Sequence, residues 1–496
     1  MLILSLAALT ACSDDPDPSS SPEPANPEEN PILFKAEDGT TTQIGDGQQE
    51  FHITGKHTLA KGVYHLKGWC YIEEGAELTL EAGTLIKGDK ETKAALIVKR
   101  GGKLWAQGTA EAPIVLTSEQ APGSRRPGDW GGLILCGKAR NNGIEKTIEG
   151  GPDAKYGGDD DNDNSGILSY LRVEFAGYPF QVDQEINGIT FGSVGKGTQV
   201  DHVQVSYSND DSFEWFGGTV NCKYLVAYHG WDDEFDTDNG FSGHLQFLLS
   251  VRHPRIADTS LSNGFESDND ADGSTKEPYT GCTFSNVTFI GPIGQTADFA
   301  NTSAYINGGG LNPQNGSKMG TFQAAMQIRR NSRLNCFNSV AAGYPVGLLL
   351  DNQKGTTQTS AANGDLKLNH IYFAQMTVVG SDKNKSWKDY LSTDGENEDE
   401  TKTSFSHDFF LAQPGNMYFP TIAELGLKQP NSLTANPNYG PVSGSVLTGH
   451  TDLFEDEKLT DAFFEKVDYI GAFKSDAEAD NWMKGWTNFD PQNTVY

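Results

Sequence analysis

Two clusters of carboxylates, offset by 22 positions (232 against 210), dominate the stretch 210-DDSFEWFGGTVNCKYLVAYHGWDDEFDTDNG-240. Asp210-Asp211-Ser212-Phe213-Glu214 returns as Asp232-Asp233-Glu234-Phe235-Asp236, and Gly218 returns as Gly240. Carboxylates gathered around one apolar residue can do two kinds of chemistry. They can hold a hard cation such as Ca²⁺, which takes about six to eight oxygen ligands. They can also work at a glycosidic bond, one acid protonating the leaving oxygen and another activating water. Asp210, Asp211, Asp232 and Asp233 are candidates for both roles, and Asp236 joins them as a metal ligand. Elimination would instead need a base; Arg252 in 251-VRHPR-255 is the candidate. Trp215 and Trp231 flank the cluster and are candidates for stacking on a sugar.

Two further stretches have oxygen ligands at alternate positions. In 268-DNDADG-273 they are Asp268, Asp270 and Asp272, followed by Gly273. In 159-DDDNDNSG-166 they are Asp161, Asp163 and Ser165, followed by Gly166. Both resemble the first half of an EF-hand loop. Where that loop has its bidentate Glu, Tyr279 and Arg172 stand here. They are expected to be Ca²⁺ loops completed by residues from elsewhere; the competing reading is a solvated acidic turn.

The elements that must position these groups are short strands. Runs such as 77-ELTLEAGTLIKG-88 and 130-WGGLILCGKA-139 are punctuated by Gly, Asn and Asp, the mark of an all-β chain with many tight turns. The runs 202-HVQVSY-207, 223-KYLVAY-228 and 245-LQFLLSV-251 recur with the same period of roughly two dozen residues as the doubled acidic phrase. That period is one rung of a parallel β-helix; a propeller blade needs about twice as much. Stacking then explains the doubling. Phe213 and Phe235 fall at equivalent rung positions inside, and Phe265 continues them. Each following residue points outward, so Glu214, Asp236 and Glu266 form an external column.

The chain has 496 residues with a formal charge of −30. The excess of acid disfavours nucleic acid or an anionic membrane surface as partner and favours bound cations. At the N-terminus a short apolar run, 2-LILSLAALTA-11, leads into 9-LTAC-12. This resembles the lipobox of bacterial lipoproteins, in which the signal is removed and the Cys is acylated; the run is too short to span a bilayer. The following 13-SDDPDPSSSPEPANPEENP-31 is rich in Pro, Ser and acids and reads as a disordered tether. An acidic patch after the lipidated Cys resembles the surface-export signal of Bacteroidota-type lipoproteins, which implies display on the outer face of the outer membrane. Cys70, Cys136, Cys222, Cys282 and Cys336 show no paired spacing and read as small buried apolar residues.

The phrases 75-GAELTLEAGTLIKGD-89, 101-GGKLWAQGTAEAPIVLTS-118, 188-GITFGSVGKGTQVDHVQVSY-207 and 211-DSFEWFGGTVNCKYLVA-227, with the ending 470-IGAF-473 and 485-GWTNFDP-491, carry a wider resemblance. They look like the secreted or lipid-anchored right-handed parallel β-helix proteins of Bacteroidota and marine bacteria, whose fold is similar to that of pectate lyases. The resemblance implies fold and location, but no catalytic residue. The expected organisation is a signal over 1–11, a lipidated tether over 12–50, a β-helix over 51–455 and a helical C-terminal cap over 456–496. The expected function is capture of an extracellular ligand, a glycan, by a Ca²⁺-stabilised surface module beside an outer-membrane uptake system. The alternatives are a polysaccharide lyase or polygalacturonase-like hydrolase acting on acidic glycans, and a structural or adhesive surface protein. Replacing Cys12 by Ala should abolish incorporation of labelled palmitate; unchanged labelling would remove the anchor.

Overall fold

The computed structural model describes residues 30–496 apart from 49, 181–185, 395–396 and 432. Cys12 and most of the tether lie outside them. The chain winds as a right-handed parallel β-helix. A sheet of 11 strands runs from Phe51–Ile53 to Val378–Ser381, each strand parallel to the next. It faces a sheet of 16 strands built from the other side of each turn.

Register follows the hydrophobic pattern, because a one-residue slip would turn every inner side chain outward. In the 11-stranded sheet Leu133, Ile189, Phe213, Phe235, Phe265, Met326 and Leu348 stand in line. All are fully buried, and the Phe213 and Phe235 rings stack at 5.8 Å. Five described cysteines are free and buried. Among the described residues, no helix is long and apolar enough to cross a membrane.

The second sheet changes form along the axis. Lys103–Gln107 and Ile114–Ser118 are separate strands, yet both pair with the single nine-residue strand Gly166–Glu174. That strand bends at Tyr170, and the next rungs bend at the equivalent His202, Tyr224, Phe247, Asn286, Asn338 and His370. Their φ values lie between 48° and 61°, which costs a side-chain-bearing residue roughly 1–2 kcal/mol. Contacts on the outside offset this. Tyr170, His202 and Tyr224 stack at 4.4 and 4.5 Å. Asn286 and Asn338 each donate a 2.9 Å hydrogen bond, to the carbonyls of Tyr469 and Leu453.

Tyr469 lies in the C-terminal segment and Leu453 just ahead of it, and the course of that segment corrects the expected cap. Residues 456–496 contain only two single 3₁₀ turns, Glu457–Leu459 and Glu478–Asp480. The segment runs back along the bent flank as a strap. Asn488 exchanges hydrogen bonds with Gln204, and the Tyr496 hydroxyl donates to Glu174 at 2.6 Å. The helix-like spacing of its apolar residues serves this flank. Closure of the open end falls to the helix Phe405–Ala412, whose Phe410 stacks on Phe373 at 4.2 Å. At the other end folding starts before residue 51: Thr41–Ile44 pairs with Val63–Leu66, and Ile32 and Ile44 are buried.

Phe235 fills a fully enclosed position in the central stack. Phe235→Ala should cost about 3–5 kcal/mol, read as a lower urea midpoint; a loss below about 1 kcal/mol would contradict the register.

Candidate functional site

The outward neighbours of the Phe column form the site. Glu214, Asp236 and Glu266 occupy one register position on three successive rungs, between Thr190 below and Gln327 above. Two residues ahead of each Phe, a side-chain ladder climbs the same rungs. Asp211 Oδ1 accepts from the Asp233 N–H at 2.8 Å, and Asp233 Oδ1 accepts from the Asn263 N–H at 2.5 Å. Asn263 Oδ1 then accepts from the Ala324 N–H at 3.0 Å. The ladder fixes one oxygen of each Asp.

Carboxylate oxygens converge in three overlapping groups, each within 4.8 Å: Asp210 with Asp211 and Asp232; Asp211 with Glu214 and Asp236; Asp233 with Asp236 and Glu266. They surround a cavity of about 120 Å³, also lined by Glu149, Ser260, Leu261 and Arg329. Little positive charge offsets them. Arg329 pairs with Glu266 and, at 2.9 Å, with Asp268. Asn187 Nδ2 donates to Glu214, and Ser260 Oγ donates to Asp232. Asp232 Oδ1 and Asp236 Oδ1 are buried with no hydrogen-bond partner.

Burial first, and then the neighbouring acids, make the ionised forms costly. Asp232 is pushed up to about 8 and Glu266 to about 7. Asp211, Glu214, Asp233 and Asp236 are held well above the usual carboxylate range for the same reasons. A lining made of oxygen donors, two of them orphaned, fits a hard cation such as Ca²⁺ and not a soft metal. Asp210, Asp211, Asp232, Asp233 and Asp236 would hold it, with Glu214 and Glu266 alongside.

Other sequence expectations need correction. Asp161 is paired with Arg140, and Asp163 is buried against Ser165. Asp268 holds Arg329 and Arg330, while Asp270 accepts from the N–H groups of Asp272 and Ser274 in a local turn. Among the described residues neither loop gathers three ligand atoms, so their alternating acids serve ion pairs and turn geometry. Trp215 and Trp231 are fully buried and present no ring to a sugar. Trp215 stacks inside the helix on Phe191 and Phe241, both at 5.5 Å. Arg252 points away from the cavity: it lies 3.2 Å from Glu234 and donates to the Asp232 and Trp231 carbonyls. It braces the turn that carries Asp232 instead of facing the site.

Sequence reasoning missed Glu149, Arg329 and Asp238. Glu149 reaches the cavity from the hairpin of Lys146–Thr147 and Lys155–Tyr156, which pack on one another antiparallel. That hairpin also walls a second groove of about 430 Å³, with Asp238, Asn239, Asp272 and Lys276 opposite. No period in the chain announces the hairpin. Asp238, two residues after Asp236, was a readable extension of the repeat; burial pushes it to about 7.

The raised carboxylates set a sign for pH. Unfolded, they titrate near 4; folded and cation-free, Asp232 holds its proton to about 8. Between these values the folded state binds more protons, so its stability falls as pH rises. In EDTA the melting temperature should fall steadily from pH 4 to pH 8, and Asp232→Asn should flatten that slope. A melting temperature that rises over the range would contradict the electrostatics of the cavity.

One solved structure, the crystal structure of the Dettilon tailspike protein, aligns at 12% identity and a TM-score of 0.22, covering 75% of this chain and 61% of that one. This chain therefore spans less than two thirds of that protein's length. No curated protein matches the chain. The sequence model of a family matches residues 51–409, most of the solenoid, and the chain belongs to that family, the pectate-lyase like beta helix domain.

Proposed function

We propose that the protein is a lipid-anchored module of the outer membrane, facing the cell exterior, that holds Ca²⁺ between three rungs and captures an extracellular glycan on the same face. The observation that carries the metal is the cavity: eight carboxylates and one arginine, with two buried oxygens that have no partner. Rung geometry alone does not need such a cluster, since Thr190 and Gln327 fill the same column on either side. The glycan reading draws on the pectate-lyase like family and on the polar groove beside the cavity. Cys12 and the acidic tether support the location. An uptake system in the same membrane is the fitting partner, and the charge of −30 opposes nucleic acid.

A second reading, hydrolysis or elimination at an acidic glycan, is favoured by one observation. Asp232, held protonated to about 8 beside other carboxylates, has the form a general acid needs at neutral pH. Elimination is less well served, because the only basic group lining the cavity among the described residues is Arg329, already paired with two acids.

Calcium that binds only the folded state stabilises it by RT ln(1 + [Ca²⁺]/Kd). Millimolar Ca²⁺ should therefore raise the melting temperature above that in EDTA, and Asp210→Asn with Asp232→Asn should remove much of the gain. If the cluster has no cation, the Asn pair relieves repulsion and stabilises the protein, and calcium changes nothing; that result would end the metal reading. A glycan array run with Ca²⁺ and with EDTA, beside an assay for reducing ends and unsaturated uronates, tests the ligand. Calcium-dependent retention without product supports binding, and product formation would replace binding by catalysis.

A further inference from the structure

Two lysines, Lys146 and Lys276, line the groove of about 430 Å³. Asp and Glu outnumber Lys and Arg by 67 to 37 in this chain, so a lysine readily finds a carboxylate, and Lys276 lies 3.8 Å from Asp270. Lys146 differs. Among the described residues it forms no ion pair, and its Nζ donates to the neutral Oδ1 of Asn239.

The amine is held from several sides. Lys146 pairs antiparallel with Tyr156. Ile148, Ala154 and Tyr156 are buried against Tyr71, Ile97 and Ile134, so the strand that carries the lysine is anchored. Its stem crosses Gly143, where a Cβ would stand 2.5 Å from Lys146 Cε. Asn239 is fixed as well, in the left-handed region at φ 54°. Its Nδ2 donates to Asp238 Oδ2 at 3.0 Å, and its carbonyl accepts from the Asn142 N–H at 3.0 Å. An amine held in this way spends one N–H on Asn239 and turns the rest of its valence to the groove.

Burial makes the ammonium form of Lys146 costly; Asp238 and Asp270 oppose this, Lys276 adds to it, and the net direction is downward. A lysine partly desolvated beside a second ammonium is a nucleophilic amine in waiting. The groove has the volume of a small-molecule site, ~300–1,000 Å³, with Tyr156 and Phe216 as its apolar wall and Thr147 as a hydroxyl donor. Glu149, Asp238, Asp270 and Asp272 set four carboxyl groups against its two lysines, which disfavours an anionic carbonyl compound such as a 2-oxo acid.

We propose that Lys146 captures a small neutral hydroxyaldehyde in this groove as an imine. Nζ adds to the carbonyl carbon while the π electrons of the C=O bond move to oxygen. The oxygen then leaves as water with the two amine protons, and the C=N bond forms. The step needs no oxidant or reductant, and it does not depend on the calcium reading.

The probe is glycolaldehyde with cyanoborohydride, which reduces the imine to a stable secondary amine, on the full chain at pH 7. Peptide mass spectrometry locates the adducts. Lys146 should be labelled several-fold faster than Lys155, which stands on the other strand of the same hairpin, is exposed, and pairs with Glu145 at 2.8 Å. Lys146→Arg keeps the charge and should remove the fast adduct from the hairpin. The comparison within the wild-type chain decides the matter even if that variant folds poorly. Labelling of Lys146 no faster than that of Lys155 would overturn the proposal, and so would a fast hairpin adduct that survives in Lys146→Arg.

Discussion

The acid column at this site follows from parallel stacking in strict register. In a β-helix each residue sits about 4.8 Å from its counterpart on the next rung. A column that must be apolar inside dictates what stands beside it outside. Once Phe213, Phe235 and Phe265 are stacked, Glu214, Asp236 and Glu266 have no freedom to part. Two unit charges at that spacing repel by about 3–4 kcal/mol at a surface-like dielectric. The same apolar pairing that holds the rungs together thus imposes the electrostatic cost that the outer face must offset.

The molecule offsets it only in part. Arg329 serves Glu266 and Asp268, and the Asp ladder spends one oxygen of Asp211 and of Asp233 on backbone N–H groups. Glu234 shows the alternative treatment: it is fully buried but paired with Arg252 and bonded to Ser212 at 2.6 Å. A buried acid can thus be satisfied within this turn where the sequence provides a partner. Asp232 and Asp236, two residues to either side of it, are left each with an oxygen that has none.

The repeat was legible because register is a local property written in the spacing of the chain. The doubled phrase predicts the Phe stack and the acid column, and both are found. The same alternation also places Trp215, two residues from Phe213, on the inner face; treating it as a surface ring ignored the pleat. The alternating acids at 268–272 were ambiguous for a physical reason. Asp followed by an amide two residues on makes an Asx turn as readily as a calcium loop, and Asp270 does the former. The strap and the Glu149 hairpin were not legible. Each depends on contacts between segments far apart in sequence, such as Tyr496 with Glu174, which leave no periodic trace.

The bent strands show how far this dependence reaches. Seven residues in the left-handed region, none of them glycine, lie in one line, and each is individually unfavourable. They persist because stacking places like beside like: the aromatic members pack on one another, and the Asn members find carbonyls on the strap. A column of equivalent positions is therefore resolved in one of two ways in this protein. Where the outward residues attract, as on the bent flank, the column is sealed by the chain's own C-terminal segment. Where they repel, as beside the Phe stack, the chain leaves a lined cavity, brings to it one more carboxylate, Glu149, and offers a single counter-charge, Arg329. The two flanks therefore differ in how each settles its outward column: the bent one with contacts inside the chain, the acid one with oxygens left unpartnered.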